Sequence, residues 1–228
     1  MKLCVALDLP DDHANLALVE QLSGLDVWLK IGLRSFIRGG WHFVDEVQRL
    51  SNGSPIFLDL KLHDIPNTTA DAAEAIADHG IEMFNLHASI GLRAMQTVMT
   101  RLTKRQTRPI LLAVTALTSF SDDEFAVIYH QPIAQCALEM AQTAHKAGLD
   151  GAVCSVYESL AFKRAASKQF LTLTPGIRFA GTDANDQSRV ATPAEAKAAH
   201  ADFIVMGRGI YAAADPRKSA LEAISACD

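Results

Sequence analysis

Two aspartates and two lysines set in apolar runs are the residues of this sequence best suited to chemistry. Asp59 and Lys61 stand two apart in PIFLDLKL (55 to 62), so on a strand their side chains leave the same face. Asp8 closes the run that begins LCVAL (3 to 7), and Lys30 sits inside VWLKI (27 to 31). Three neighbouring strands would then carry Asp, Lys and Asp-Leu-Lys at equivalent depth. An adjacent carboxylate favours the charged form of an amine. At about 4 Å and an effective dielectric near 20, one such attraction is of order 4 kcal/mol before desolvation is deducted. A lysine held charged suits a cationic clamp or a proton donor; a Schiff-base nucleophile needs a neutral amine. The same spacing also describes a structural ion pair at the rim of a sheet, and Asp8 or Lys30 alone reads equally well as a solvated strand end. Asp64 follows three residues after Lys61, and Ile65-Pro66 then turns the chain into the next helix.

A second group has the composition of an anion site. TPGIR (174 to 178) and MGRGI (206 to 210) each follow an apolar run. Glycine at 207 and 209 permits close backbone approach, and Arg208 can fork onto phosphate oxygens. A solvated loop arginine is the plain alternative. The polar stretch FAGTDANDQSR (179 to 189) has the composition of a lid that folds over a ligand. Other chemistries have less support. Asp8, Asp59 and Asp64 offer oxygens, but two interleaved lysines repel Mg²⁺, so no metal site is expected. His63 is the one histidine near the charged cluster, without an HxH or HExxH. No GxGxxG follows the first strand, and Ser119 and Ser155 show no histidine-acid arrangement.

The elements that must position these residues alternate along the whole chain. The remaining apolar runs are IEMFNL (81 to 86), PILLAVTAL (109 to 117), GAVCSV (151 to 156), FLTLT (170 to 174) and FIVMG (203 to 207). Near-continuous apolar strands fit a parallel sheet covered by helices. Amphipathic stretches predict helices over 12–22, 40–51, 67–79, 90–104, 132–147, 157–167, 193–199 and 216–226. Gly80 and Gly148 are placed as C′ residues, and Pro132, Pro193 and Pro216 near helix starts. Eight strand-helix units predict a single-domain (β/α)₈ TIM barrel over 1–228; an open doubly wound sheet is the competing arrangement. In a barrel, the site would lie at the strand ends, with phosphate between the loops after strands seven and eight. Lysine plus arginine total 21 against 26 acidic residues, a formal charge of -5, which gives no basic surface for nucleic acid. The start MKLCVALDLPDD is a poor signal peptide, and no run approaches the roughly 20 apolar residues of a membrane span, so a cytoplasmic protein is expected. Cys4, Cys136, Cys154 and Cys227 are scattered and read as buried thiols.

The run DLKLHDIPNTT (59 to 69) resembles the orotidine 5'-phosphate decarboxylase family in its bacterial form. ALDLP (6 to 10), WLKIG (28 to 32), VTALTS (114 to 119), VCSVYE (153 to 158), TPGIR, DQSRVATPAEA (186 to 196) and IVMGRGI (204 to 210) follow in family order. The resemblance implies cofactor-free decarboxylation of orotidine 5'-phosphate to uridine 5'-phosphate. It implies that Lys61 protonates C6 of the pyrimidine, that Asp59 stands beside the substrate carboxylate, and that Asp8 and Lys30 contact the ribose hydroxyls. It also implies that Thr118 lies near the pyrimidine edge and that Arg178, Gln187, Gly207 and Arg208 grip the 5'-phosphate. Asp64 and Thr68 match residues that reach the neighbouring subunit's site in a homodimer. Phe179 and Gly209 depart from the family, which often has proline at each position. Two rivals are weaker. Mg²⁺-dependent sugar-phosphate barrels commonly carry an acidic residue where this chain has Lys30, and a non-catalytic barrel would be expected to lose one of Asp59, Lys61 and Asp64.

Overall fold

A computed structural model describes residues 1–179 and 190–228. Eight strands close into a barrel in sequence order, with every neighbouring pair parallel. They are β1 (Lys2–Ala6), β2 (Val27–Gly32), β3 (Ile56–Leu62), β4 (Met83–His87), β5 (Ile110–Val114), β6 (Gly151–Val153), β7 (Leu171–Thr174) and β8 (Phe203–Met206). The helices are α1 (Asp12–Leu22), α2 (Leu33–Leu50), α3 (Pro66–Asp78), α4 (Leu92–Leu102), α5 (Asp122–Tyr129), α6 (Ile133–Ala147), α7 (Val156–Ala165), α8 (Pro193–Ala198), α9 (Arg208–Tyr211) and α10 (Pro216–Cys227). The closed (β/α)₈ arrangement replaces the open-sheet alternative. No helix among the described residues is long and apolar enough to cross a membrane.

The near-continuous apolar strands have a simple cause. Alternate residues serve two separate cores, so neither face of a strand meets water. Cys4, Phe57, Met83, Leu112 and Phe203 pack with one another inside the barrel, where Trp28 meets Phe203 edge to face at 5.4 Å between ring centroids. Val5, Leu29, Leu58, Phe84 and Leu111 face the helices instead. Charges at the N-terminal ends of the strands are structural: Asp150 holds Arg108 at 2.6 and 2.8 Å and also accepts the Leu111 N–H.

Three helical features differ from the sequence expectation. α2 is two helical stretches that meet at Gly40, whose φ of 57° and ψ of -152° are non-helical and suit glycine alone; the stretch after it is the helix expected from 40, and the one from Leu33 is additional. α5 is an additional helix, with a capping box in which Ser121 and Glu124 satisfy each other's backbone donors. α9 is a further four-residue turn directly after β8. The terminators agree with expectation: Gly148 closes α6 in the left-handed conformation, and Pro193 and Pro216 open α8 and α10.

Barrel closure leaves no space at Gly151. A Cβ there would lie 2.2 Å from the Leu171 carbonyl oxygen across the β6–β7 pair. Gly151→Ala should therefore destabilise the protein by about 1–3 kcal/mol through overpacking. A lower urea midpoint with an unchanged slope checks it.

Candidate active site

The C-terminal ends of the strands open into a cavity of about 510 Å³, of the size that holds a nucleotide. Asp8, Lys30, Asp59, Lys61, Thr118 and Arg178 all line it, with Gly207 and Arg208 on the wall beyond β8. The two residue groups that the sequence separates by more than a hundred positions therefore share one space.

The four charged residues form a chain. Lys30 Nζ lies 3.4 Å from Asp8 and 3.5 Å from Asp59, and Lys61 Nζ lies 2.7 Å from Asp59 Oδ1. Spacing alone suggested equal depths, and the depths differ. The register pairs Ala6 with Lys30 and Gly32 with Asp59, so Lys30 rises from one layer below the carboxylates and is 7% exposed. Gly32 makes room for it: a Cβ there would stand 3.0 Å from Lys30 Nζ and 3.3 Å from Asp8 Oδ1.

Burial acts against these charges, and their neighbours reverse it. Desolvation alone would lower the Lys30 pKa, but Asp59, then Asp8 and Cys4, raise it above the ordinary lysine value. Burial pushes the Asp59 carboxyl up, while Lys30, Lys61 and hydrogen bonds from Lys61 and Asn85 bring it below the usual carboxylate range. The cluster therefore keeps its ions although Lys30 and Asp59 are largely withdrawn from solvent.

Local structure fixes each member. Asn15, fully buried on α1, accepts the Leu9 N–H at 3.1 Å and donates to the Asp11 carbonyl at 2.9 Å, holding the loop that carries Asp8. Ser35 donates to the Leu7 carbonyl at 2.7 Å, and Arg38 pairs with Asp12. On β3 the device is different. The β3–β4 register shifts as β3 advances from Leu58 to Leu62 while β4 advances only from Phe84 to Leu86. Inside this irregularity Lys61 has φ of 54°, a left-handed conformation that costs a non-glycine residue about 1–3 kcal/mol. The strain aims the lysine while leaving it beside Asp59.

Asp64 and Thr68 go elsewhere. Both are exposed, Asp64 in a shallow groove with His63 and Ile65, its Oδ1 accepting the Ile65 N–H at 2.7 Å; Thr68 is on α3. Neither joins Lys61 within this chain's cavity. Gln187 and the stretch from 180 to 189 lie outside the described residues. The two family departures are neighbours: a Cβ on Gly209 would lie 3.8 Å from the Phe179 ring, an ordinary van der Waals contact. Sequence reasoning missed Arg34, which also lines the cavity, and the buried Asn85. An asparagine inside the apolar run IEMFNL was the available signal for the latter. Among the described residues, no three His, Cys, Asp or Glu side chains come together as a metal site.

Comparison with known proteins agrees with this geometry. A family model described as "Orotidine 5'-phosphate decarboxylase / HUMPS family" matches residues 1–223. The orotidine 5'-phosphate decarboxylase of Sulfurimonas denitrificans is 55% identical over 216 residues, covering 95% of each chain. That of Helicobacter pylori is 49% identical over 227 residues, covering 100% of both. The crystal structure of the Lactobacillus acidophilus enzyme of that name superposes with a TM-score of 0.86 at 32% identity, over 100% of this chain and 99% of the other.

Proposed function

This chain belongs to the orotidine 5'-phosphate decarboxylase / HUMPS family and decarboxylates orotidine 5'-phosphate to uridine 5'-phosphate in pyrimidine biosynthesis; we propose that it does so without a cofactor, with Lys61 as the proton donor. The observation that carries the proposal is the Lys61–Asp59 pair, an ammonium held at 2.7 Å from a partly buried carboxylate lining the cavity. When the bond from C6 to the carboxylate breaks, CO₂ leaves and the electron pair stays on C6. A fixed ammonium stabilises that developing charge and then gives its proton to C6, leaving a neutral amine that is reprotonated from solvent. Asp59, ionised through its two lysine neighbours, stands where the substrate carboxylate would meet a like charge. Asp8 and Lys30 fit the ribose hydroxyls, and Thr118 the pyrimidine edge.

Incubation with orotidine 5'-phosphate and EDTA, followed by the loss of substrate ultraviolet absorbance, tests the reading. Full turnover is expected. Unchanged absorbance with folded protein would reject the activity; activity lost in EDTA and restored by Mg²⁺ would reject the metal-free part.

Arg178, Gly207 and Arg208, with Gln187, are proposed to hold the 5'-phosphate. Support for Arg178, Gly207 and Arg208 comes from their place on the cavity wall beyond β7 and β8; Gln187, outside the described residues, is included on the family resemblance alone. Arg208→Ala should weaken uridine 5'-phosphate binding by about 10- to 10²-fold and leave uridine affinity nearly unchanged, since a charge-assisted phosphate contact contributes about 1.5–3 kcal/mol. Equal losses for both ligands, measured by calorimetry, would take Arg208 out of the phosphate site.

The working unit is proposed to be a homodimer with sites shared across the interface. Asp64 lines a groove outside the Lys61 cavity, beside Ile65, which is 67% exposed. An exposed isoleucine next to an exposed carboxylate suits a second copy of this chain, in which two-fold symmetry exchanges the same loop both ways.

A further inference from the structure

The charged chain at the cavity floor rests on a neutral side chain. Asn85 lies on β4 two residues after Met83, with no accessible surface. Its amide is used in both directions. Oδ1 accepts the backbone N–H of Lys61 at 2.7 Å, and Nδ2 donates to Asp59 Oδ1 at 2.7 Å. That same Asp59 oxygen receives Lys61 Nζ at 2.7 Å. A closed ring results: Asn85 ties the Lys61 backbone to the carboxylate that the Lys61 side chain grips.

Asn85 also supports the strained part of β3. Lys61 sits at φ 54° where the β3–β4 register is broken, so its N–H needs a partner other than the regular ladder. The asparagine carbonyl supplies it. Aspartate at 85 would accept the same N–H but set a second carboxylate against Asp59; leucine would fill the space and do neither.

We propose that Asn85 is a positioning residue for the decarboxylation step, acting through Lys61 and Asp59 by fixing the ammonium and the carboxylate relative to each other. The proposal rests on the roles given above to those two residues. Asp59 is faced by Lys30 from β2, Lys61 from β3 and Asn85 from β4, with Cys4 of β1 also within its field. Of these groups, Asn85 is the uncharged one that holds the carboxylate ionised by donating to it.

The test compares Asn85→Leu and Asn85→Asp with the unaltered enzyme, after circular dichroism and thermal melting confirm folding. Turnover at saturating substrate should fall by about 10²-fold in Asn85→Leu, the cost expected of a misplaced reacting group. Uridine 5'-phosphate affinity should stay within about threefold, because the phosphate and ribose contacts are untouched. The acid limb of the kcat profile should move to higher pH in both variants, further in Asn85→Asp, a change that loose packing alone does not produce. An inactive parent enzyme would refute the functional reading itself. An active parent with a folded variant of near-normal kcat and an unmoved acid limb would refute the role of Asn85. Loss of folded protein in both variants would overturn it too, by assigning Asn85 to the fold.

Discussion

Lys61→Ala should lower turnover of orotidine 5'-phosphate by at least about 10⁴-fold, because under the proposed mechanism one substitution removes both the proton donor and the cation that meets the developing charge. Binding of uridine 5'-phosphate should remain measurable. The product carries no carboxylate at C6, and its phosphate and ribose contacts are assigned to residues elsewhere on the cavity wall. The interaction lost is thus made mainly in the transition state, and it appears in kcat, not in ligand affinity. Removing the ammonium also leaves Asp59 with Lys30 as its remaining cationic neighbour, at 3.5 Å. Burial then counts for more, so Asp59 should take up a proton at higher pH than in the parent. Single-turnover absorbance measurements and calorimetry with uridine 5'-phosphate check the two halves. Near-normal turnover would mean that another group delivers the proton.

The charged cluster was legible in the sequence because charge inside an apolar run is costly and therefore conspicuous. Asp8, Lys30, Asp59 and Lys61 each interrupt such a run, and all four meet in the cavity. The eight strands were legible for a related reason: faces buried on both sides read as apolar throughout. Register was not. Two residues of spacing on an ideal strand says that Asp59 and Lys61 share a face, but carries no sign of the shift that puts Lys61 at φ 54°. Nor does spacing show that Lys30 lies a layer below its carboxylates, since that depends on pairing between strands. Asn85 escaped notice because its amide is neutral, and its value lies in two partners on another strand. The glycine pair reads as a break, and Gly40 is one; the helical stretch before it, from Leu33, is what the pattern did not show. α5 had a visible signal in Ser121 and Glu124, overlooked beside the longer helix that follows.

Mixing Lys61→Ala and Asp64→Ala chains should restore activity that neither homodimer has. Asp64 leaves the barrel mouth just before Ile65-Pro66 starts α3, and its carboxylate faces the outer groove. If a two-fold dimer carries each Asp64 into the partner's cavity, every site draws Lys61 from one chain and Asp64 from the other. Each homodimer is then defective at both sites. In the heterodimer one site collects both defects, and the other receives an intact Lys61 and an intact Asp64. Random reassortment of equal amounts makes half the dimers mixed, so about a quarter of all sites should be whole. That fraction is far above the residue left by Lys61→Ala, so the signal does not depend on small differences in rate. Differently tagged chains, dissociated reversibly and remixed, allow heterodimers to be counted by mass spectrometry beside the activity assay. Recovery near a quarter of the parent rate is the expected result. Heterodimers without recovered activity would place Asp64 in the service of its own subunit, and chains that never pair would remove the shared site altogether.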